Sequence, residues 1–216
     1  MDLKQTEQAL FGNLQRTIDG ITEKAQRRAA HEISFREKFF LQMLYGGIVA
    51  GGKIHGLPEA AQLLHHYLGK SGKPLEVNSE IYRNSHTVKV EMENQKRKIA
   101  DNMRRGQVEF SERSDKLIAE QTNLRLKYAD NRFLLHSVTK KGSGGLCDTT
   151  WKVEETYDFE DFKGGPSNWK LVSKWSEFPF RGHRVRVYDG LSRYLVHLGM
   201  AKEFDYYATW MEHWKY

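Results

Sequence analysis

The chain has 216 residues, 39% hydrophobic and 29% charged, with a mean hydropathy of −0.70 and a formal net charge of +6. That composition excludes a disordered or fibrous chain and leaves room for one large domain or two small ones. No run approaches ~20 consecutive apolar residues, so no membrane span is expected, and the single cysteine, Cys147, excludes an intrachain disulfide.

The charge is uneven. Residues 1–105 hold 17 Lys+Arg against 12 Asp+Glu, a balance of +5, and residues 106–216 hold 17 against 16, a balance of +1. The aromatic residues lean the other way: all five tryptophans lie at or after position 151. The N-terminus, Met-Asp-Leu-Lys-Gln-Thr-Glu, lacks a basic region followed by an apolar one. No secretory signal peptide is therefore expected, and export would need dedicated machinery or lysis.

Leu3, Leu10, Phe11, Leu14, Ile18 and Ile21 recur at helical spacing and predict a polar helix over 3–29, with Gly20 inside it. Ile33, Phe35, Phe39, Phe40, Met43 and Leu44 predict a stronger helix over 31–50. Four glycines crowd its end, in Gly46-Gly47-Ile48-Val49-Ala50-Gly51-Gly52. Lys53 is followed by Ile54, so the phosphate-loop spacing is absent, and the glycines read as close helix packing in a core. Leu57-Pro58-Glu59 opens a helix that runs to Leu68 and stops at the breaker 69–74. Its His65-His66 pair is adjacent, so the two rings diverge by about 100° and do not share a metal. Residues 78–105 predict a further helix, capped by Ser79 or Ser85. Lys96-Arg97-Lys98 and Arg104-Arg105 make it basic, as either a solvated face or a patch for phosphate or lipid headgroups. It carries no stacking aromatics, which argues against single-stranded nucleic acid.

From Gly106 the period changes. Residues 106–121 read as a soft connector. Leu124, Leu126 and Tyr128, then Phe133, Leu135 and Ser137, alternate as a hairpin. Lys140-Lys141-Gly142-Ser143-Gly144-Gly145 reads as a flexible loop. Residues 151–159 then alternate over nine positions: Trp151, Val153, Glu155, Tyr157 and Phe159 to one side, Lys152, Glu154, Thr156 and Asp158 to the other. Glu155 is the misfit on the apolar side. Either it reaches water at an edge or through a bulge, or it is a carboxylate held at a cleft rim beside Tyr157 and Asp158. Trp169, Leu171 and Trp175 mark a strand or an aromatic clamp, and Pro179 makes 178–187 an edge or a bend. Asp189-Gly190-Leu191 begins a helix ending at Gly199, and Phe204-Tyr206-Ala208-Trp210 alternate as a last strand. The expected fold is α+β: a helical N-terminal half (1–105) and an antiparallel β-rich C-terminal half (122–216), as an open sheet or half-barrel.

Glu155-x-Tyr157-Asp158, followed by His183-Arg184, resembles the catalytic signature of the colicin M family, Asp-x-Tyr-Asp and then His-Arg. Glu stands for the first Asp here, and the His-Arg pair follows after a longer interval. The resemblance covers roughly residues 121–190. It implies an antibacterial toxin or effector that hydrolyses the pyrophosphate linkage of lipid II in the periplasm of an attacked cell, with Mg²⁺ and with a cognate immunity protein as partner. It implies Glu155, Tyr157, Asp158, His183 and Arg184 as catalytic residues, and Asp158 and Glu155 as metal ligands. The chemistry is coherent: arginine clamps phosphate, Asp158 serves as base or ligand, and His183 gives a proton to the leaving group.

Two other readings stand beside it. One is a non-catalytic interaction protein of a secretion or phage system, binding through an exposed aromatic surface of Trp169, Trp175, Trp210 and Trp214. The other is a binder of anionic membrane or nucleic acid that uses the helix around Lys96-Arg97-Lys98.

Overall fold

The computed structural model describes residues 3–27, 32–129, 132–159 and 186–216, with the side chains of 3, 4 and 128 left aside. The fold is α+β, with helices concentrated in the N-terminal part and strands in the C-terminal part. The chain divides into two compact units, each built from discontinuous segments. One comprises 1–55, 64–71 and 158–203; the other comprises 56–63, 72–157 and 204–216.

The first unit is helical. Helix α1 (Leu3–Gln26) runs unbroken through Gly20 and buries Ile18, Ile21 and Ala25. Helix α2 (Phe35–Ile54) starts at a capping box: Glu37 N–H donates to Ser34 Oγ, and Ser34 N–H donates to Glu37 Oε2 at 2.8 Å. It buries Leu41, Tyr45 and Val49. Helix α3 (Pro58–Leu68) contributes Leu64 and Tyr67 to this unit, and α7 (Asp189–His197) contributes Leu191, Tyr194 and Leu195. Ser192 ties them together. Its Oγ pairs with Tyr45 Oη at 2.7 Å, and its carbonyl accepts from Tyr67 Oη at 2.9 Å. Gly199 takes φ +65° and closes α7, with Met200 N–H returning to Leu195 O.

Gly46 and Gly47 correct one expectation. They do not serve close packing: both are exposed, and a Cβ on either would meet nothing within 4 Å. The buried face of α2 is the opposite one.

The second unit is an open mixed sheet in the order β1-β6-β5-β4-β2. Its strands are β1 (Leu75–Glu76), β2 (Glu109–Arg113), β3 (Leu117–Ile118), β4 (Arg132–Lys141), β5 (Leu146–Tyr157) and β6 (Phe204–Lys215). β1 lies parallel to β6; the other pairs are antiparallel, and β3 also pairs with β4. Two of these strands fall within the stretch read as a connector. The predicted central strand is present and longer, with continuous register from Leu146↔Lys215 to Tyr157↔Phe204.

The predicted hairpin is only half right. Its second arm is β4, but its first arm is helix α6 (Leu124–Ala129). Asn123 decides this. Its side chain accepts from Leu126 N–H at 3.1 Å and its carbonyl accepts from Lys127 N–H at 2.9 Å, which starts a helical turn that five alternating residues cannot overrule.

Helix α5 (His86–Arg104) covers the inner face of the sheet. Val88, Met92, Ile99 and Met103 supply the apolar contacts, and Ile99 and Met103 cluster with Cys147. Gln95 is wholly buried among them and fully engaged: it donates to Leu135 O at 3.3 Å and accepts from Ser137 Oγ at 2.6 Å. Of the two candidate caps, Ser85 serves. It accepts from Val88 N–H and donates to Glu120 Oε2 at 2.7 Å, while His86 N–H donates to Glu120 Oε1 at 2.9 Å. Short helix α4 (Glu80–Arg83) precedes it, and Ser79 makes no side-chain cap bond.

Burial works against the Glu120 carboxylate, but the Ser85 hydroxyl and the backbone amides outweigh it and bring its pKa down from 4.5 to about 2. A folded-state pKa below the unfolded one adds stability that is full above pH 4.5 and is lost as the pH falls toward 2. Glu120→Gln should therefore cost about 1 kcal/mol at neutral pH and flatten the fall in stability between pH 4.5 and 2. Urea unfolding at a series of pH values measures both.

Candidate functional site

The outer face of the sheet carries the charged half of the alternation. The register aligns it into two rows. Arg113, His136, Lys152 and Thr209 lie side by side across β2, β4, β5 and β6. Leu134, Glu154, Tyr207 and Glu76 do the same across β4, β5, β6 and β1. At this end of the sheet lies a groove of about 530 Å³, lined by Arg113, Leu134, Lys152, Glu154, Glu155, Thr156, Asp205, Tyr206 and Tyr207 and closed on one side by Pro74.

Glu154 is the hub of the groove. Lys152 Nζ donates to its Oε2 at 2.5 Å, and His136 Nε2 lies 2.9 Å from its Oε1. The Lys152 hydrogen bond holds this carboxyl below its ordinary range against the opposing effect of burial. His136 shifts downward as well. Burial is the main cause, and together with the Arg113 and Lys152 cations it outweighs what Glu154 returns. The imidazole is therefore neutral at pH 7. Lys152 also sits 5.9 Å from the centre of the Tyr207 ring. Thr156 Oγ1 donates to Asp205 Oδ1 at 2.8 Å across the strand pair. The arrangement offers a guanidinium, an ammonium, a phenol and a neutral imidazole on one rigid surface, with the Glu154 carboxylate held between Lys152 and His136 and the Glu155 and Asp205 carboxylates beside it.

The residues selected from the sequence fall differently. Glu155 does face inward with Val153 and Tyr157, but β5 is a central strand and its register shows no bulge. Neither an edge nor a bulge explains the misfit: Glu155 lies at the rim of the groove, and a counter-ion holds it there. Lys116, in the β2–β3 turn, places Nζ 2.6 Å from Glu155 Oε2, and Oε1 accepts from Thr156 N–H at 3.1 Å. A hard cation on Glu155 would have to displace that ammonium. Tyr157 packs its ring against Phe204 at 5.4 Å and Tyr206 at 6.5 Å. Asp158 is exposed just beyond the last paired residue of β5. Glu155 and Tyr157 thus share a face. His183 and Arg184 lie outside the described residues, as do Trp169 and Trp175. Among the described residues, no group of three or more His, Cys, Asp and Glu side chains is placed to hold a metal ion.

Trp210 and Trp214 do not form an exposed aromatic surface. Trp210 stacks on Trp151 at 6.5 Å and is buried. Trp214 donates to Thr149 Oγ1 at 2.8 Å beneath Lys96. Three of the five cations of the basic helix are engaged within the chain: Lys96 pairs with Glu93 and Glu212, Lys98 with Glu112, and Arg104 with Asp101. Among the described residues, no helix is long and apolar enough to cross a membrane.

The groove residues were visible in the sequence only as the outward half of the 151–159 alternation. Arg113, His136, Asp205 and Tyr207 join them through strand register, which single-sequence patterning does not supply. No family model, curated protein or solved structure matches the chain.

The Lys116–Glu155 pair is open to a direct test. Lys116→Met leaves an inward carboxylate without its counter-ion and should cost about 1 kcal/mol, limited by the solvent exposure of the lysine. Adding Glu155→Gln should recover most of that loss. Urea midpoints of the two single variants and the double variant measure the coupling.

Proposed function

We propose that the chain binds a phosphate-bearing ligand in the groove on the open face of its sheet. One observation carries this reading: strand register brings Arg113 and Lys152 onto a single concave surface with the Tyr207 hydroxyl and the Thr156–Asp205 pair. Arg113 is exposed and sits on a β-strand, so its planar donor fork is presented by a rigid element. Lys152 contributes charge at close range, while Leu134 and the Tyr207 ring give an apolar wall for whatever the phosphate is attached to. Glu154 restrains Lys152, and Glu155 and Asp205 add two further carboxylates to the lining, so the two cations can serve only a compact group such as one pyrophosphate.

The wider role we propose is that of a secreted antibacterial effector directed at the cell envelope, with the pyrophosphate of lipid II as the bound group. Its support is the Glu155-x-Tyr157-Asp158 signature and the exposure of Asp158 at the exit of the central strand. Within the described residues, the contribution assigned to the protein is binding and orientation of the pyrophosphate by Arg113 and Lys152.

Titration of the full chain with inorganic pyrophosphate, followed by calorimetry, tests the binding reading. Arg113→Ala should weaken binding tenfold or more, roughly the value of a charge-assisted hydrogen bond. Equal affinity in wild type and variant would remove the groove from consideration. The effector role is read separately by growth of a bacterial host carrying the chain in its cytoplasm or its periplasm. Lysis confined to the periplasmic chain, and lost in Asp158→Ala with folding intact, is the expected result.

A further inference from the structure

Helix α2 is apolar on both sides. Its inner side packs Leu41, Tyr45 and Val49. At 100° per residue, Phe35, Phe39, Met43, Gly46, Ala50 and Ile54 all fall within a second arc of roughly 100° on the outer side. That arc is exposed: Phe35 by 84%, Phe39 by 56%, Met43 by 64% and Ile54 by 80%, with Gly46 and Ala50 exposed between them. Exposed apolar side chains are ordinary when scattered, but six aligned positions along a 20-residue helix are not.

We propose that this face of α2 docks the protein on the surface of an anionic lipid bilayer. The choice of occupant rests on charge. Arg36 and Lys53 fall on the two margins of the same arc, one at each end of the helix, and both are exposed. The single acid of α2, Glu37, points elsewhere and is held by Lys24 at 2.8 Å. The face therefore presents an apolar stripe about 30 Å long, bracketed by cations and free of acids. Such a helix lies in the plane of the interface, with its apolar side chains among the acyl chains and its cations at headgroup level. The small residues Gly46, Gly47 and Ala50 lower the middle of the stripe, so Phe35, Phe39, Met43 and Ile54 stand out as the inserting groups. The capping box at Ser34 fixes the first turn, which places Phe35 on the stripe and not in a frayed end. This docking is carried by α2 alone and stands whether or not the groove binds phosphate.

The test is co-sedimentation of the full chain with vesicles of equal parts phosphatidylglycerol and phosphatidylcholine, and with phosphatidylcholine vesicles alone. The wild type should partition onto the anionic vesicles at least tenfold more strongly than onto the neutral ones. Phe39→Asp should lose at least tenfold of that partitioning. Arg36→Glu with Lys53→Glu should abolish the preference for the anionic lipid. Because these positions are exposed, the melting temperature of each variant should stay within a few degrees of wild type. Failure of the wild type to bind anionic vesicles would overturn the proposal. So would a large fall in melting temperature for Phe39→Asp, which would show the stripe covered by the chain itself. Elution of the wild type as a dimer that Phe39→Asp makes monomeric would assign the face to a second copy and overturn it equally.

Discussion

The sheet unit depends on how Glu212 divides its carboxylate. One oxygen accepts from the indole N–H of Trp151 at 3.1 Å, and the other receives the Lys96 ammonium at 2.8 Å. Trp151 is the largest wholly buried side chain among the described residues. Its ring gains apolar contact only if its N–H finds an acceptor. Glu212 is that acceptor, and a carboxylate so placed needs a cation in turn. Lys96 supplies it from α5, with its own pKa raised by the pairing despite burial. Three elements, β5, β6 and α5, are thereby fixed to one another by a chain of obligations. Gln95, the next residue along the helix, repeats the logic against β4. Polar contacts set where the helix lies on the sheet, and apolar burial makes the arrangement worthwhile.

With the inner face occupied in this way, the outer one is left open to solvent, and the proposed binding groove lies there. The same alternation that sends Trp151 and Val153 inward sends Lys152 and Glu154 outward. A rigid, half-solvated face is a suitable place to hold charged side chains in fixed relation, because strand register sets their spacing and no loop has to order itself on binding. The groove inherits its geometry from the core beneath it.

Much of the fold was legible along the chain. Helical periodicity located α1, α2, α3, α5 and α7, and period-two alternation located β5 and β6. Those signals persist over many residues and are repeated by burial. The failures were local or relational. Leu124–Tyr128 alternates like a strand, but a single asparagine cap made it helical. The glycines after Tyr45 looked like a packing device, yet sequence cannot say which side of a helix is covered. Glu155 was correctly seen as a misfit, but its explanation lay in Lys116, nearly forty residues earlier, on a turn that patterning assigned to a connector. The groove was least legible of all. It is made of cross-strand neighbours from β2, β4, β5 and β6, and strand order is a property of topology that no window of residues contains.

The interleaving of the two units has a consequence for how the molecule is made. β5 sits between β4, which precedes it across a tight turn, and β6, which arrives only after the chain has passed through residues 158–203 of the helical unit. During synthesis the longest pairing in the sheet must wait for that detour, with Trp151 lacking Glu212 and one edge of β5 unpaired. Closing so long a loop is an entropic cost paid before the contacts that reward it form. Neither unit corresponds to a contiguous fragment, so a cut at any single point in the chain leaves at least one of them incomplete.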